Sequence, residues 1–260
     1  MMVNYFTYVI ILRFAVKKII YHGYLNRHIF SRVDNHMCGR FTLMAEPDRI
    51  KEVFNISDTS NCQWEARYNI APTQNIATVL YDGESKKREC RSLRWGLIPS
   101  WSKDSKMGAR TINARAETLA EKPSFRSAFK RRRCLVLADG FYEWKKLETK
   151  KQPYYFQLKD KQPFAFAGLW EEWQSPEDEK ITSCTIVTTE ANELLQPIHH
   201  RMPVILQQSD YEKWLDPQLQ ETELLKELLH PFEAEKMTAY AVSTKVNNPS
   251  HTSAECISPA

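Results

Sequence analysis

The chain has 260 residues, with 36 Lys and Arg against 32 Asp and Glu, and is 42% hydrophobic; that is one ordinary domain or two small ones. Its 12% aromatic content and 13 thinly spread prolines exclude a disordered composition, and six cysteines are too sparse for a disulfide scaffold. Residues 1–37 hold five cations (Arg13, Lys17, Lys18, Arg27, Arg32) and one anion (Asp34), so 36 less five and 32 less one leave 31 of each sign in 38–260. That part is formally neutral, and any nucleic-acid binding must come from a local basic groove.

Composition shifts at Met37, because every proline, tryptophan and cysteine follows it. The apolar stretch Tyr5–Ile20 is interrupted by Arg13, Lys17 and Lys18. It falls short of the roughly 20 apolar residues a membrane span needs. A signal peptide places its charges first and ends at small residues; here the charges come last. Residues 1–37 are therefore expected to be an N-terminal extension, an upstream start-site error first, with a removable leader or a weak membrane-surface helix as alternatives, and 38–260 a single domain.

Within 38–260, Glu46–Phe54 predicts a short helix with Pro47 in its first turn. Ile76–Tyr81 predicts a strand ended by Asp82-Gly83, with Cys90–Ile98 as hairpin partner. Pro123–Arg131 reads as a helix and Arg133–Ala138 as a buried strand. Phe141–Lys146 and Tyr154–Leu158 read as a second hairpin, and Phe164–Trp170 and Thr182–Thr188 as strands. Glu190–Leu195, Asp210–Leu215 and Thr222–Leu229 are expected to be helical. Met202–Leu206 and Tyr240–Ser243 complete the strands. Many short strands without βαβ alternation predict an α+β fold, a curved, mostly antiparallel, barrel-like β core with short flanking helices. The cysteines form no zinc spacing, and free thiols in a reducing cytoplasm are the default expectation. Cys134 and Cys184 read as core residues.

Four segments carry chemistry. In Met37-Cys38-Gly39-Arg40-Phe41, removal of Met37 would give Cys38 a free α-amine beside its thiol. An α-amine titrates near 8, so a useful fraction is neutral at pH 7 and can attack an aldehyde. The thiol can then close a thiazolidine. The plain alternative is a buried cysteine. In Ile112-Asn113-Ala114-Arg115-Ala116-Glu117, strand alternation lines up Asn113, Arg115 and Glu117 over small residues; this is a lined pocket or a solvated edge strand. In Ala138-Asp139-Gly140-Phe141-Tyr142-Glu143-Trp144, Glu143 is a proton-transfer candidate if buried, or a surface carboxylate paired with Lys145. In Pro197-Ile198-His199-His200-Arg201-Met202-Pro203, His199 and Arg201 share a face if the backbone is extended; His199 is a proton shuttle or a satisfied loop residue. Asn69 and Pro72, in Arg67–Pro72, and Trp101, after Pro99, suit a groove that stacks unpaired bases, whereas Trp95 reads as core. Lys130-Arg131-Arg132-Arg133 is a basic run or a solvated helix end.

Taken in order, Met-Cys-Gly-Arg-Phe at 37–41, Tyr-Asn-Ile-Ala-Pro at 68–72, Trp-Gly-Leu-Ile-Pro at 95–99, Ile-Asn-Ala-Arg-Ala-Glu-Thr at 112–118, Ala-Asp-Gly-Phe-Tyr-Glu-Trp at 138–144 and Ile-His-His-Arg-Met-Pro at 198–203 resemble the SOS response-associated peptidase family of abasic-site processing proteins. The resemblance covers about 38–260. It implies a covalent crosslink in which the Cys38 amine and thiol capture the aldehyde of a ring-opened abasic sugar in single-stranded DNA. It further implies that Asn113 positions the reactants, that Glu143 and His199 manage protons, that Arg40, Arg115 and Arg201 hold phosphates, and that Asn69, Pro72 and Trp101 shape and stack the strand. Self-removal of residues before the cysteine, the family's peptidase activity, is implied as well. Two departures stand out. Thirty-six residues precede Met37, and His200 stands where the family carries an acidic residue.

The expected partner is single-stranded DNA bearing abasic sites, with no metal, no organic cofactor and no membrane. The protein is expected to be cytoplasmic, nucleoid-associated when on DNA, and monomeric. The competing readings are a cysteine-dependent hydrolase acting in trans through Cys38, His199 and Glu143, and a non-covalent single-strand binder.

Overall fold

The computed structural model describes residues 39–56, 59, 61–62, 65–83 and 87–260. By contacts the chain divides into Met1–His36 and Met37–Ala260, and the described residues lie in the second unit. Twelve strands occur among them: β1 (Phe41–Leu43), β2 (Arg67–Ile70), β3 (Asn75–Asp82), β4 (Lys87–Trp95), β5 (Asn113–Arg115), β6 (Arg133–Ala138), β7 (Gly140–Lys146), β8 (Lys151–Leu158), β9 (Phe164–Gln174), β10 (Lys180–Glu190), β11 (Arg201–Pro203) and β12 (Met237–Ala241). Four short helices accompany them: α1 (Pro47–Phe54), α2 (Arg126–Arg131), α3 (Tyr211–Leu215) and α4 (Thr222–Lys226).

β10, β4, β3, β6 and β9 pair in that order, and β9 pairs back to β10, which closes a five-stranded barrel. Only the β10–β4 step of that ring is parallel. Every residue of β6 is buried: Cys134–Ala138 are apolar, and the Arg133 guanidinium is satisfied by backbone carbonyls. A second sheet runs β12-β8-β7-β1-β2. The two meet at Phe41, whose ring lies edge-on to Trp95 at 5.2 Å and to Phe166 at 5.8 Å. The fold is the expected α+β class.

The helices follow local chemistry. Pro47 opens α1, Ile50 and Phe54 bury its inner face, and Asn55 ends it in the left-handed region at φ 50°. The structure departs from the sequence expectation in several places. Residues 193–198 form turns rather than a helix, with Ile198 N and His199 N both donating to Leu195 O. The helix expected from Pro123 starts only at Arg126, and β4 stops at Trp95 because Gly96, at φ 126°, turns the chain against Gly108. Cys62 and Cys90 form a disulfide, against the free-thiol expectation: the β3–β4 hairpin carries Cys90 under the loop that follows α1, a meeting invisible at a separation of 28 residues. Cys134 and Cys184 are core residues, their thiols pushed up by burial.

Candidate functional site

β1 runs antiparallel to β7, with Phe41 opposite Phe141 and Thr42 opposite Gly140. Tyr142 N donates to Arg40 O at 3.0 Å. Counting back along this register sets Gly39 opposite Glu143. Cys38 lies outside the described residues, so the chain enters the described region beside that carboxylate. Glu143 is only 2% exposed and faces Tyr154 across the β7–β8 ladder; it is a buried carboxylate, not the surface one of the plain alternative. Behind this junction, Asp139 fastens β1 in place. It accepts from Thr42 Oγ1 at 2.6 Å, from Ala45 N at 2.9 Å and from Met44 N. Burial raises its carboxyl above the ordinary value although those donors oppose the shift.

Arg40 and Asn69 form one unit at the same end of β1 and β2. Arg40 Nη1 donates to Asn69 Oδ1 at 2.9 Å and to Val246 O at 2.7 Å. Asn69 Nδ2 donates to Val246 O, Asn248 O and His251 O at 3.2, 3.0 and 2.8 Å. Trp144 Nε1 reaches Asn247 Oδ1 at 2.7 Å. The C-terminal stretch thus ties down both predicted strand-binding residues. Burial lowers the Arg40 guanidinium below its ordinary value. Pro72 is half-buried and leads to Thr73, whose N–H donates to Trp95 O at 2.8 Å.

The end of β10 places the remaining residues. β5 lies parallel to it, with Asn113 beside Ile186 and Arg115 beside Thr188, and β11 lies antiparallel on it, with Arg201 opposite Glu190. Asn113 is half-buried, Arg115 and Glu117 are exposed, and Ala114 and Ala116 are buried, so the expected alternation holds. His199 directly follows the turn over 193–198, and its N–H donates to Leu195 O at 3.0 Å. Its Nδ1 lies 3.1 Å from both the N–H and the carbonyl oxygen of Arg201, so the Arg201 backbone holds the ring with the proton on either nitrogen. Burial is the main cause that lowers its pKa, and the charges of His200 and Arg201 add to it. Arg201 is 9% exposed. Its two terminal nitrogens grip Glu117, one of them at 2.9 Å, and one also donates to Thr188 O at 2.7 Å. For Glu117, burial works against ionisation, but the bond from Arg201 and its charge outweigh it and hold the carboxyl below its ordinary value. The sequence placed Glu117 on the Asn113–Arg115 face; its link to Arg201, 84 residues away, had no local signal.

One aromatic pair connects the two groups. Phe41, next to Arg40, packs on Trp95, and the Trp95 indole donates to Ile112 O at 2.8 Å, next to Asn113. Trp95 is therefore core, as expected. Trp101 is 58% exposed, on a loop held by the close approach of Gly96 to Gly108 and by Trp173 Nε1 donating to Ser102 O at 2.7 Å. The basic run divides: Lys130 and Arg131 are exposed, Arg132 pairs with Glu171 at 2.7 Å, and Arg133 is buried. Among the described residues, no cluster of three or more His, Cys, Asp or Glu is placed to hold a metal ion, and no helix is long and apolar enough to cross a membrane.

Residues 37–249 match the family described as SOS response associated peptidase (SRAP). "Abasic site processing protein YoqW" of Bacillus subtilis (strain 168) is 49% identical over 223 residues, which is 85% of this chain and 99% of that protein. "Abasic site processing protein HMCES" of Gallus gallus is 38% identical over 263 residues, 86% of this chain and 78% of that protein. A crystal structure of a protein from Bacteroides thetaiotaomicron superposes with a TM-score of 0.77 at 29% identity, covering 86% of this chain and 100% of that one.

Proposed function

The chain belongs to the SOS response associated peptidase family, and on that premise we propose that it processes abasic sites in single-stranded DNA by forming a covalent crosslink through Cys38. The observation that carries this reading is the β1–β7 register, which leads the chain from Gly39 onto the buried carboxylate of Glu143. The Cys38 amine adds to the aldehyde carbon of the opened sugar, and loss of water gives an imine. The thiol then adds across the C=N bond and its proton passes to nitrogen, giving the five-membered thiazolidine. Glu143 takes up and returns protons at the amine. His199, held by the Arg201 backbone, donates a proton to the sugar oxygen. Asn113 orients the sugar. Arg115 is the exposed phosphate contact; Arg40 and Arg201 meet the strand from positions fixed by Asn69 and Glu117. Trp101 stacks a base, an interaction worth about 1–3 kcal/mol, and Pro72 shapes the bend.

An acylated Cys38 nitrogen cannot form an imine, so the residues before it must be absent in the active molecule. We attribute their removal, where they are translated, to the protein itself with Glu143 as base, which accounts for the peptidase in the family's description. A response to DNA damage is the setting this chemistry fits.

The test uses protein that starts at Cys38 and single-stranded oligonucleotides with and without one abasic site. A heat-stable shifted band is expected only with the abasic strand, and is lost in Cys38→Ala. No band from protein with a verified free amino terminus would refute the proposal.

A further inference from the structure

Residues 103–131 carry eight exposed cations: Lys103, Lys106, Arg110, Arg115, Lys122, Arg126, Lys130 and Arg131. They carry three anions, Asp104, Glu117 and Glu121. Eight less three is +5, and since 38–260 is formally neutral, the rest of the domain carries −5. A polyanion is therefore drawn to this stretch and repelled by the remainder. Among the described residues the side chains of these eight form no ion pair or hydrogen bond, whereas Lys180, Lys226, Lys236 and Lys245 each hold a carboxylate. Glu117 is already engaged with Arg201.

Four of the cations, Lys103, Arg126, Lys130 and Arg131, are also adjacent in the fold. Ala128 and Phe129 bury one side of α2, so Arg126, Lys130 and Arg131 share its outer side at helical i, i+4 and i, i+5 spacing. The helix end is pinned to β9 through Arg132 and Glu171, and the Trp101 loop is pinned to it through Ser102 and Trp173. Glu171 and Trp173 are two residues apart, hence on one face of the strand and about 7 Å from each other. Lys103 and the α2 cations thus flank one another, with Trp101 bordering them.

We propose that the DNA strand leaving the site runs over Lys103 and the outer side of α2, where Arg126, Lys130 and Arg131 pair with its phosphates, so that the bound strand extends well past the abasic nucleotide. This rests on the function proposed above. It makes the affinity of the protein depend on strand length while the chemistry at Cys38 does not.

The experiment compares protein that starts at Cys38 with its Arg126→Glu/Lys130→Glu/Arg131→Glu variant, and with the milder Gln triple variant as a guard against misfolding. The probes are abasic oligonucleotides of about five and about twenty nucleotides, read between about 50 and 200 mM salt. For the longer strand, binding is expected to weaken about tenfold or more in the Glu variant. The slope of log affinity against log salt is expected to fall by about 2, at roughly 0.7 for each phosphate no longer neutralised. Binding of the short strand and the crosslinking rate at saturation stay as in the unsubstituted protein. Equal binding of the long strand with and without the substitutions would overturn the proposal, and so would an equal loss on both lengths. A protein that binds long strands tighter than short ones through these residues, yet never crosslinks, would leave this inference standing and remove the crosslinking function proposed above.

Discussion

Glu117 couples two stretches of chain that both carry proposed site residues. It follows Arg115 by two residues, and its carboxylate holds Arg201, whose backbone fixes the His199 ring. Removing it leaves a buried guanidinium without its counter-ion, and breaking such a pair costs about 3–5 kcal/mol when fully buried; the half-exposed Glu117 side chain discounts that to about 1–2 kcal/mol. Glu117→Ala is expected to slow crosslinking and lower stability in urea, with Glu117→Asp recovering part of both. For His199, the folded pKa lies below its ordinary 6.5, so the unfolded chain binds the proton first. Stability is therefore full above about pH 6.5 and falls as the pH drops through the folded value. An NMR titration of His199 should find its midpoint below 6.5. As the pH is lowered, the crosslinking rate should already be falling above that midpoint, as the α-amine, ordinarily near 8, takes up its proton. A rate flat from pH 5 to about 8 would mean that amine attack is not limiting. Glu143→Gln is expected to slow crosslinking and to abolish any removal of the leader, read by mass spectrometry of the amino terminus.

The elements that hold these residues depend on buried polar ties as much as on apolar packing. Arg133 donates to five carbonyls, those of Phe129, Lys130, Trp214, Asp216 and Leu219, and so collects the end of α2 and the chain following α3. Burial pushes its guanidinium down to about 10, with Asp216 opposing the shift. Arg133→Lys keeps the charge but has three donors for five acceptors; each carbonyl left bare costs about 1–3 kcal/mol, so a lower urea midpoint with unchanged slope is expected. At Gly140 an added Cβ would collide with Tyr155 Oη, which lies 2.9 Å from Thr42 Oγ1. Gly140→Ala is expected to cost about 1–3 kcal/mol by overpacking, read as a lower melting temperature. Long strands such as β3, β6, β9 and β10 were readable from their apolar runs. β1, with three residues, showed no alternation to read, because its conformation comes from pairing with β2 and β7. The flanking prolines favoured an extended backbone at His199 but gave no sign that its N–H is tied to Leu195 O of the preceding turn. The four chemical segments were visible because their residue types are unusual in strands. Which of their arginines is exposed was not, since Arg115 and Arg201 differ through partners far away in sequence.

At the scale of the whole molecule, the barrel and the second sheet meet at Phe41, so the start of the domain is also part of its core. The Cys62–Cys90 bond closes a separation of 28 residues, and the chain-entropy relation assigns such a loop about 3–4 kcal/mol. Reduction, or Cys62→Ala/Cys90→Ala, is expected to lower stability by up to that amount while leaving the crosslinking yield of the folded fraction unchanged. Thiol counting on denatured protein checks whether the bond persists in the producing cell.

The carboxyl end has a practical bearing. Tyr240 Oη donates to Ile257 O, Val242 bridges Pro259, and Ala260 N donates to Ala241 O, while residues 246–251 hold Arg40 and Asn69. A purification handle placed ahead of Cys38 would acylate the nitrogen that the proposed chemistry needs free, and one fused close after Ala260 would tug on the ties behind Arg40. Engineers wanting a labelled version should look to the exposed tip of the β7–β8 hairpin instead, around residues 147–150, where the chain turns back in solvent.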